Sequence, residues 1–250
     1  MNATTPSGSS AATAVVTGRS RSRQSTPRLL VLVGGLVCVL AGLAMLVFLW
    51  WEYVGTDLVA HHRQSDIRAD LRASWGYPTV ADVLGPQTAV APLGTADALL
   101  RIPRFGADYE VPVIEGVRDV DLSQGVGHFP GTGPGQIGNF ALAGHRATNG
   151  EPFKQLPELR PGDEVIVETA QATYTYQLDT NPNGLVVPFT EGWVIDPVPA
   201  APDDEAPPGM RTFESVEPTD ALVTLTSSSE LFSGDDRMVA FGHLVKTTPK

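Results

Sequence analysis

Hydrophobic positions fall into three patterns along this chain. The first is unbroken: Leu29 to Trp51, LLVLVGGLVCVLAGLAMLVFLWW, runs for 23 residues without a charge. A helix rising ~1.5 Å per residue carries that length across about 34 Å, enough for a hydrocarbon core with some tilt. The run is longer than the apolar segment of a signal peptide, and no small-x-small cleavage site follows it. Trp50, Trp51 and Tyr53 close it instead, as aromatic residues do at a membrane interface. The second pattern covers Tyr53 to Trp75, which holds no proline and only Gly55. Leu58, Ile67 and Leu71 have partly helical spacing there, so the segment predicts a short helical stalk. Gly76 to Gly94, punctuated by proline and glycine, predicts a linker.

The third pattern begins near Asp97 and consists of short alternating runs divided by turns. Ala98–Ile102 and Tyr109–Ile114 flank PRFGAD and predict a hairpin. Phe140–Ala143, Glu164–Thr169, Leu185–Phe189, Trp193–Ile195, Ala221–Ser227 and Met238–Val245 supply further strands. In TYTYQL, Tyr174, Tyr176 and Leu178 share one strand face while Thr173, Thr175 and Gln177 share the other. About eight short strands with few helical segments predict an all-β barrel or sandwich. The chain thus divides into a disordered tail (1–28), a transmembrane helix (29–51), a stalk and linker (52–95) and a β domain (96–250). Pro199 to Pro218 is a long acidic loop inside that domain.

Charge orients the membrane segment. The tail holds Arg19, Arg21, Arg23 and Arg28 and no acidic residue, whereas Glu52 and Asp57 follow the apolar run. The positive-inside rule therefore puts the N-terminus in the cytoplasm and the β domain outside the cell. The whole chain carries −11, which argues against nucleic acid as a partner, because phosphates would be repelled. Cys38 is the one cysteine, so an intrachain disulfide is excluded, and its place in the apolar run marks it as a packing residue.

Chemistry-bearing residues are sparse. There is no GxSxG elbow, no GxxxxGK[ST] loop, no HExxH and no Cys/His cluster, so neither a metal nor a cofactor is predicted. The β domain does hold His128, His145 and His243, three serines at the end of a strand (Ser227, Ser228, Ser229), and Arg237 beyond them. A serine/histidine peptidase would need an acid to orient the histidine, and the sequence identifies none.

The order of motifs carries more than the residues singly. VGHFPGTGPGQIGNFALAGHR (Val126–Arg146), EPFKQLPELRPGDEVIVET (Glu151–Thr169), TYTYQL, VVPFTEGWVIDPVP and LVTLTSSSELFSGDDRMVAFGHLV resemble, in that sequence, the stretches of a sortase, most closely the class E type of actinobacteria. The resemblance covers roughly residues 96–248. It implies a closed sortase-like barrel of about eight strands with short helices. His145 falls on the catalytic histidine, Arg237 on the catalytic arginine, and Ser228 on the nucleophilic cysteine. Two anchors fix that register: the strand end Thr224-Leu225-Thr226-Ser227, and the nine residues separating Ser228 from Arg237. His128 lies in a GHF segment similar to the family's GHY, with structural hydrogen bonding as its first expected role and substrate contact as its second.

The resemblance also implies an activity: a membrane-tethered transpeptidase of Gram-positive bacteria acting on LPxTG- or LAxTG-like sorting signals. Its thiolate attacks the Thr–Gly carbonyl, arginine stabilises the oxyanion, histidine protonates the leaving amine, and an amine of a cell-wall precursor or pilin resolves the acyl-enzyme. Serine meets that demand poorly. Its hydroxyl is not ionised near neutral pH and needs a general base held by a third group. Two readings therefore stay open. One is a sortase impaired by Ser228; the other is a pseudo-sortase that binds sorting signals or partner proteins without chemistry.

Overall fold

The computed structural model describes residues 26–50, 56–76, 92–202, 206–213, 217–229 and 234–250. The tail, most of the linker and parts of the acidic loop lie outside them. Helix α1 covers Thr26–Trp50, and its stretch Leu30–Phe48 is long and apolar enough to cross a membrane. Every described side chain of that stretch is exposed, as an apolar segment without a protein partner must be.

The remaining described residues form one unit. Helix α2 (Thr56–Ser74) is followed by nine strands: β1 (Ala96–Arg101), β2 (Val111–Glu115), β3 (Val126–His128), β4 (Gly138–Ala143), β5 (Glu164–Glu168), β6 (Ala172–Leu178), β7 (Val186–Pro188), β8 (Ala221–Ser228) and β9 (Asp236–Pro249). A one-turn helix α3 (Asp119–Leu122) joins β2 to β3. Eight strands close in the order β6-β5-β1-β2-β3-β4-β8-β9, with β9 returning to β6, and β7 adds to the outer side of β9. The β2–β3 and β4–β8 pairs are parallel and the others antiparallel. This is the closed all-β barrel that the strand pattern and the resemblance imply.

Closure depends on the length of β9. Its first half pairs with β8 and β7 and its second half with β6. At the changeover sits Gly242, where a Cβ would come within 2.5 Å of the Gln177 carbonyl oxygen. Only a residue without a side chain lets the two backbones pass so closely.

Alternation then sorts the side chains into two cores. Leu100, Val113, Phe140, Leu142, Tyr176 and Leu225 fill the barrel. The opposite face of β8 and β9 carries Val239 and Phe241, which pack with Leu185, Val187 and Val194 into a second, outer cluster. That cluster fastens the segment after β7 against the outside of the barrel. The run Trp193–Ile195, expected as a strand, is a 3-10 turn over Gly192–Ile195. Its carbonyls explain the difference: Val194 O and Asp196 O accept hydrogen bonds from the Asn139 amide on β4, at 3.3 and 3.0 Å, and not from a neighbouring strand. Strand β3, three residues with a central glycine, was not anticipated.

Helix α2 packs on the β domain. Ala60 and Gln64 are buried, and the Gln64 amide donates to Asn149 O at 3.2 Å. Arg72 pairs with Glu110 at 2.5 Å, and Arg68 donates to Glu110 O at 2.8 Å.

Candidate functional site

The site is built from strand register. In the antiparallel β8–β9 ladder Ser228 lies directly opposite Arg237. In the parallel β4–β8 ladder Ala143 pairs with Thr226. The ladder runs one step further, since Gly144 N donates to Thr226 O at 3.2 Å. His145 lies two residues past the end of β4 at Ala143, and Ser228 two residues past Thr226, the partner of Ala143. Ser228 and Arg237 thus share a rung of the β8–β9 ladder, and His145 follows just past the end of β4, the strand on the other side of β8.

The rung faces outward. Val223 and Leu225 on β8 and Met238 and Ala240 on β9 point into the barrel. By the two-residue period, Ser228 and Arg237 point to the other face. Ser227 points inward, and its hydroxyl donates to Gly144 O at 2.6 Å. Ser227 therefore ties the histidine's strand to β8, while Ser228 is half-buried and turned toward the outer face.

Arg237 is only 3% exposed although it lies outside the barrel. Strand β7 and the segment after it cover it: Val187 pairs with it, the Phe189 ring lies 5.9 Å from the guanidinium, and Glu191 O accepts from Nη2 at 2.5 Å. Burial lowers the guanidinium from its ordinary value, and the charge of Glu191 opposes this. Nε is buried and makes no hydrogen bond among the described residues. A desolvated cation with an uncommitted donor is suited to negative charge that develops in front of it.

His145 is half-buried. Burial pushes its imidazole below the ordinary value, with the Asp119 charge acting the other way, so the ring is mainly neutral at pH 7. Its backbone is held by the loop it opens, since Phe153 N donates to His145 O at 2.9 Å. Phe153 enters the barrel core and reaches it by passing under Gly144, where a Cβ would stand 2.8 Å from the ring. No carboxylate hydrogen-bonds the His145 ring among the described residues.

The other sequence candidates lie elsewhere. His128 is buried on the inner face, with Nδ1 2.6 Å from Glu115 Oε2, Nε2 3.0 Å from Thr132 O, and its ring against Phe140. His243 pairs with Asp179 at 2.9 Å. Ser229 N continues the β8–β9 ladder to Asp236 O. Residues that drew no attention in the sequence frame the rung. Asn139 and Thr224, hydrogen-bonded to each other at 2.8 Å, hold the 3-10 turn. Arg146, whose one sequence signal was its place in the Gly-His-Arg motif, reaches the carbonyls of Ser228 and Ser229.

A barrel of this topology defines a class, and the comparisons with known proteins give the same answer. The sortase domain model matches residues 100–245, and the chain belongs to the sortase family. It is 30% identical over 227 residues to the sortase SrtE1 of Streptomyces coelicolor, a match spanning 86% of this chain but 57% of that relative. The solved sortase E of Streptomyces avermitilis superposes with a TM-score of 0.52 at 36% identity, over 64% of this chain and 93% of its own. The sortase SrtF of Corynebacterium diphtheriae does so with a TM-score of 0.54 at 28% identity, over 66% and 93%. Within the family the chain is of the class E type.

Proposed function

We propose that this chain is a membrane-anchored class E sortase-like protein that receives LPxTG- or LAxTG-type sorting signals on the outer face of its β4–β8–β9 ladder, with its transpeptidase chemistry impaired by Ser228. The pairing of Ser228 with Arg237 at the end of β8, with His145 just past the end of the neighbouring strand β4, supports this reading. In it, α1 crosses the cell membrane with the arginine-rich tail in the cytoplasm and the barrel outside. The acyl group of the signal passes to residue 228 and then to an amine of a cell-wall precursor or pilin. Arg237 stabilises the oxyanion, and His145 moves the proton between the nucleophile and the leaving amine. His128, engaged inside the barrel, holds structure.

The electrostatics of the rung support impairment. Family chemistry uses a thiolate, which a nearby cation stabilises. A hydroxyl gains little from the same cation, because its own ionisation is out of reach near pH 7. The neutral His145 has the protonation state of a general base, but a base without an orienting partner gives up part of the ~10²–10⁴-fold that such catalysis supplies. The same observation supports the second reading, a binding module without turnover.

The test uses the full chain in detergent with LPxTG and LAxTG peptides and an amine acceptor, read by mass spectrometry. Slow ligation that disappears in Ser228→Ala supports the impaired enzyme. Peptide binding without ligation, with ligation gained in Ser228→Cys, supports the binding module. If Ser228→Cys neither binds nor ligates either peptide, the assignment of the site is wrong.

A further inference from the structure

Arg146 performs a task that neither the motif order nor the triad accounts for. Strand β4 ends at Ala143, and the last ladder bond beyond it is Gly144 N to Thr226 O. The next rung of a parallel ladder would engage the Ser228 carbonyl. At that level the Arg146 side chain takes over: Nη1 donates to Ser228 O at 3.1 Å and to Ser229 O at 2.6 Å. The ladder is thus prolonged by a guanidinium at the residue where the backbone must hold a reactive side chain. Ser228 is fixed from both sides, by β9 through the Arg237 pairing and by Arg146 through its carbonyl.

The second observation is electrical. Arg146 makes no salt bridge among the described residues, and its Nε is buried without a hydrogen-bond partner. Partial burial lowers the guanidinium from its ordinary value. Its charge is held one peptide group from the Ser228 side chain, on the side away from Arg237. Residue 228 is thus approached by one cationic residue from the β4 side and paired with another on β9.

We propose that Arg146 is a positioning residue for the nucleophile position: it clamps the backbone of residues 228 and 229 and, with Arg237, favours negative charge on the side chain at 228. This rests on the reading of Ser228 as the nucleophile site. The clamp is matched to a thiolate or to the oxyanion of an acyl transfer, and its benefit to a neutral serine is small.

A thiol placed at residue 228 reports both parts. Cys38 is the one native cysteine, so the full chain carrying Cys38→Ala and Ser228→Cys has a single thiol, and its pKa follows from the pH dependence of alkylation by iodoacetamide. The thiol should titrate below the ordinary ~8.5. Adding Arg146→Gln should raise that pKa and slow alkylation at pH 6 about tenfold, which corresponds to about one pKa unit. Arg146→Lys keeps a charge but reaches a single carbonyl, and should slow it about threefold, roughly half a unit. Should Arg146→Gln fail to fold, the lysine variant carries the test, and an unchanged alkylation rate in it overturns the inference. A low thiol pKa that Arg146→Gln leaves unmoved overturns it likewise. An ordinary pKa before Arg146 is touched overturns instead the reading of Ser228 on which it stands.

Discussion

Ser228 and Arg237 are directly opposed partners in the β8–β9 ladder. Their side chains leave the sheet on the same face, so their proximity is a property of the backbone register and not of a flexible loop. A one-residue slip of β9 would turn Arg237 into the barrel. The outer cluster of Val187, Val239 and Phe241 and the inner pair Met238 and Ala240 oppose that slip, because it would exchange two differently shaped apolar sets and carry the Arg237 charge into the core.

Arg237 is the first place where this can be tested. Its guanidinium is buried, bonded to Glu191 O and set against Phe189. Arg237→Ala should cost about 1–3 kcal/mol of stability by leaving that carbonyl without its donor. In the Ser228→Cys background it should also lower kcat by about 10²–10³, the usual loss when an oxyanion donor is removed. Arg237→Lys retains the charge without the fork and should recover stability more than turnover. Thermal melts and ligation kinetics separate the two effects.

His145 gives a reading that does not require turnover. In the native chain burial holds its imidazole below the ordinary value. Ser228→Cys places an ionisable thiol at the end of β8, beside the strand that leads into His145, and a nearby thiolate favours the imidazolium. The His145 titration, followed by NMR, should therefore move upward, by about one unit for an opposite charge at close range. Arg146 and Arg237 stay charged throughout and do not reverse the sign. An unmoved titration would mean that the side chains at 145 and 228 do not approach each other.

Legibility in the sequence was uneven for reasons that particular residues make plain. Alternation in TYTYQL puts Tyr174, Tyr176 and Leu178 on one face, and Tyr176 and Leu178 are buried, because a strand's faces follow from its own residues. Trp193–Ile195 was misread because its apolar side chains serve the outer cluster while its carbonyls are held by Asn139, 55 and 57 residues away in sequence. Strand β3 was invisible because VGH is too short to alternate. The nine-residue spacing linked Ser228 to Arg237 in the sequence, whereas the pairing that sets β4 beside β8 joins Ala143 to Thr226, far apart in the chain, which no local pattern carries. Arg146 was legible as a residue and not as a clamp, since it acts on backbone carbonyls 82 and 83 positions away.

Helix α2 contributes to the loop that His145 opens. Asn149, Gly150 and Glu151 all have positive φ, at 56°, 78° and 47°, a conformation that costs non-glycine residues about 1 kcal/mol or more each unless the surroundings enforce it. Gln64, 3% exposed, enforces it by donating to Asn149 O. Gln64→Ala removes a buried hydrogen bond and leaves a small void, so stability should fall by roughly 1–2 kcal/mol. At this domain size that lowers Tm by about 2–8 °C. Hydrogen exchange at the Glu151 amide, which donates to Thr148 O at 3.0 Å, should rise more than exchange in β8. Equal protection in Gln64→Ala and the native chain would show that the turn holds itself.

Asp97 should make the barrel less stable as pH rises. It sits at the irregular step in the β1–β2 ladder between Ala96 and Ala98, close enough to Glu115 and His128 for their charges to act on it. Burial pushes its carboxyl from 3.8 up to about 6, the charge of His128 opposing and that of Glu115 adding. A raised folded-state pKa means that the native state holds the proton more tightly than the unfolded chain. The associated stability is fully present below about 4 and is lost as pH climbs through about 6. A shift of that size corresponds to at most about 3 kcal/mol, and water reaching a partly exposed carboxyl reduces it. Asp97→Asn mimics the protonated form. It should melt at nearly the wild-type temperature at pH 4 and at a higher one at pH 7.5, with the gain developing between those values. Glu115 and His128, 2.6 Å apart and buried, are present in both chains, so their effect enters both curves. A difference in Tm that does not change with pH would mean that Asp97 is not held against ionisation by its burial.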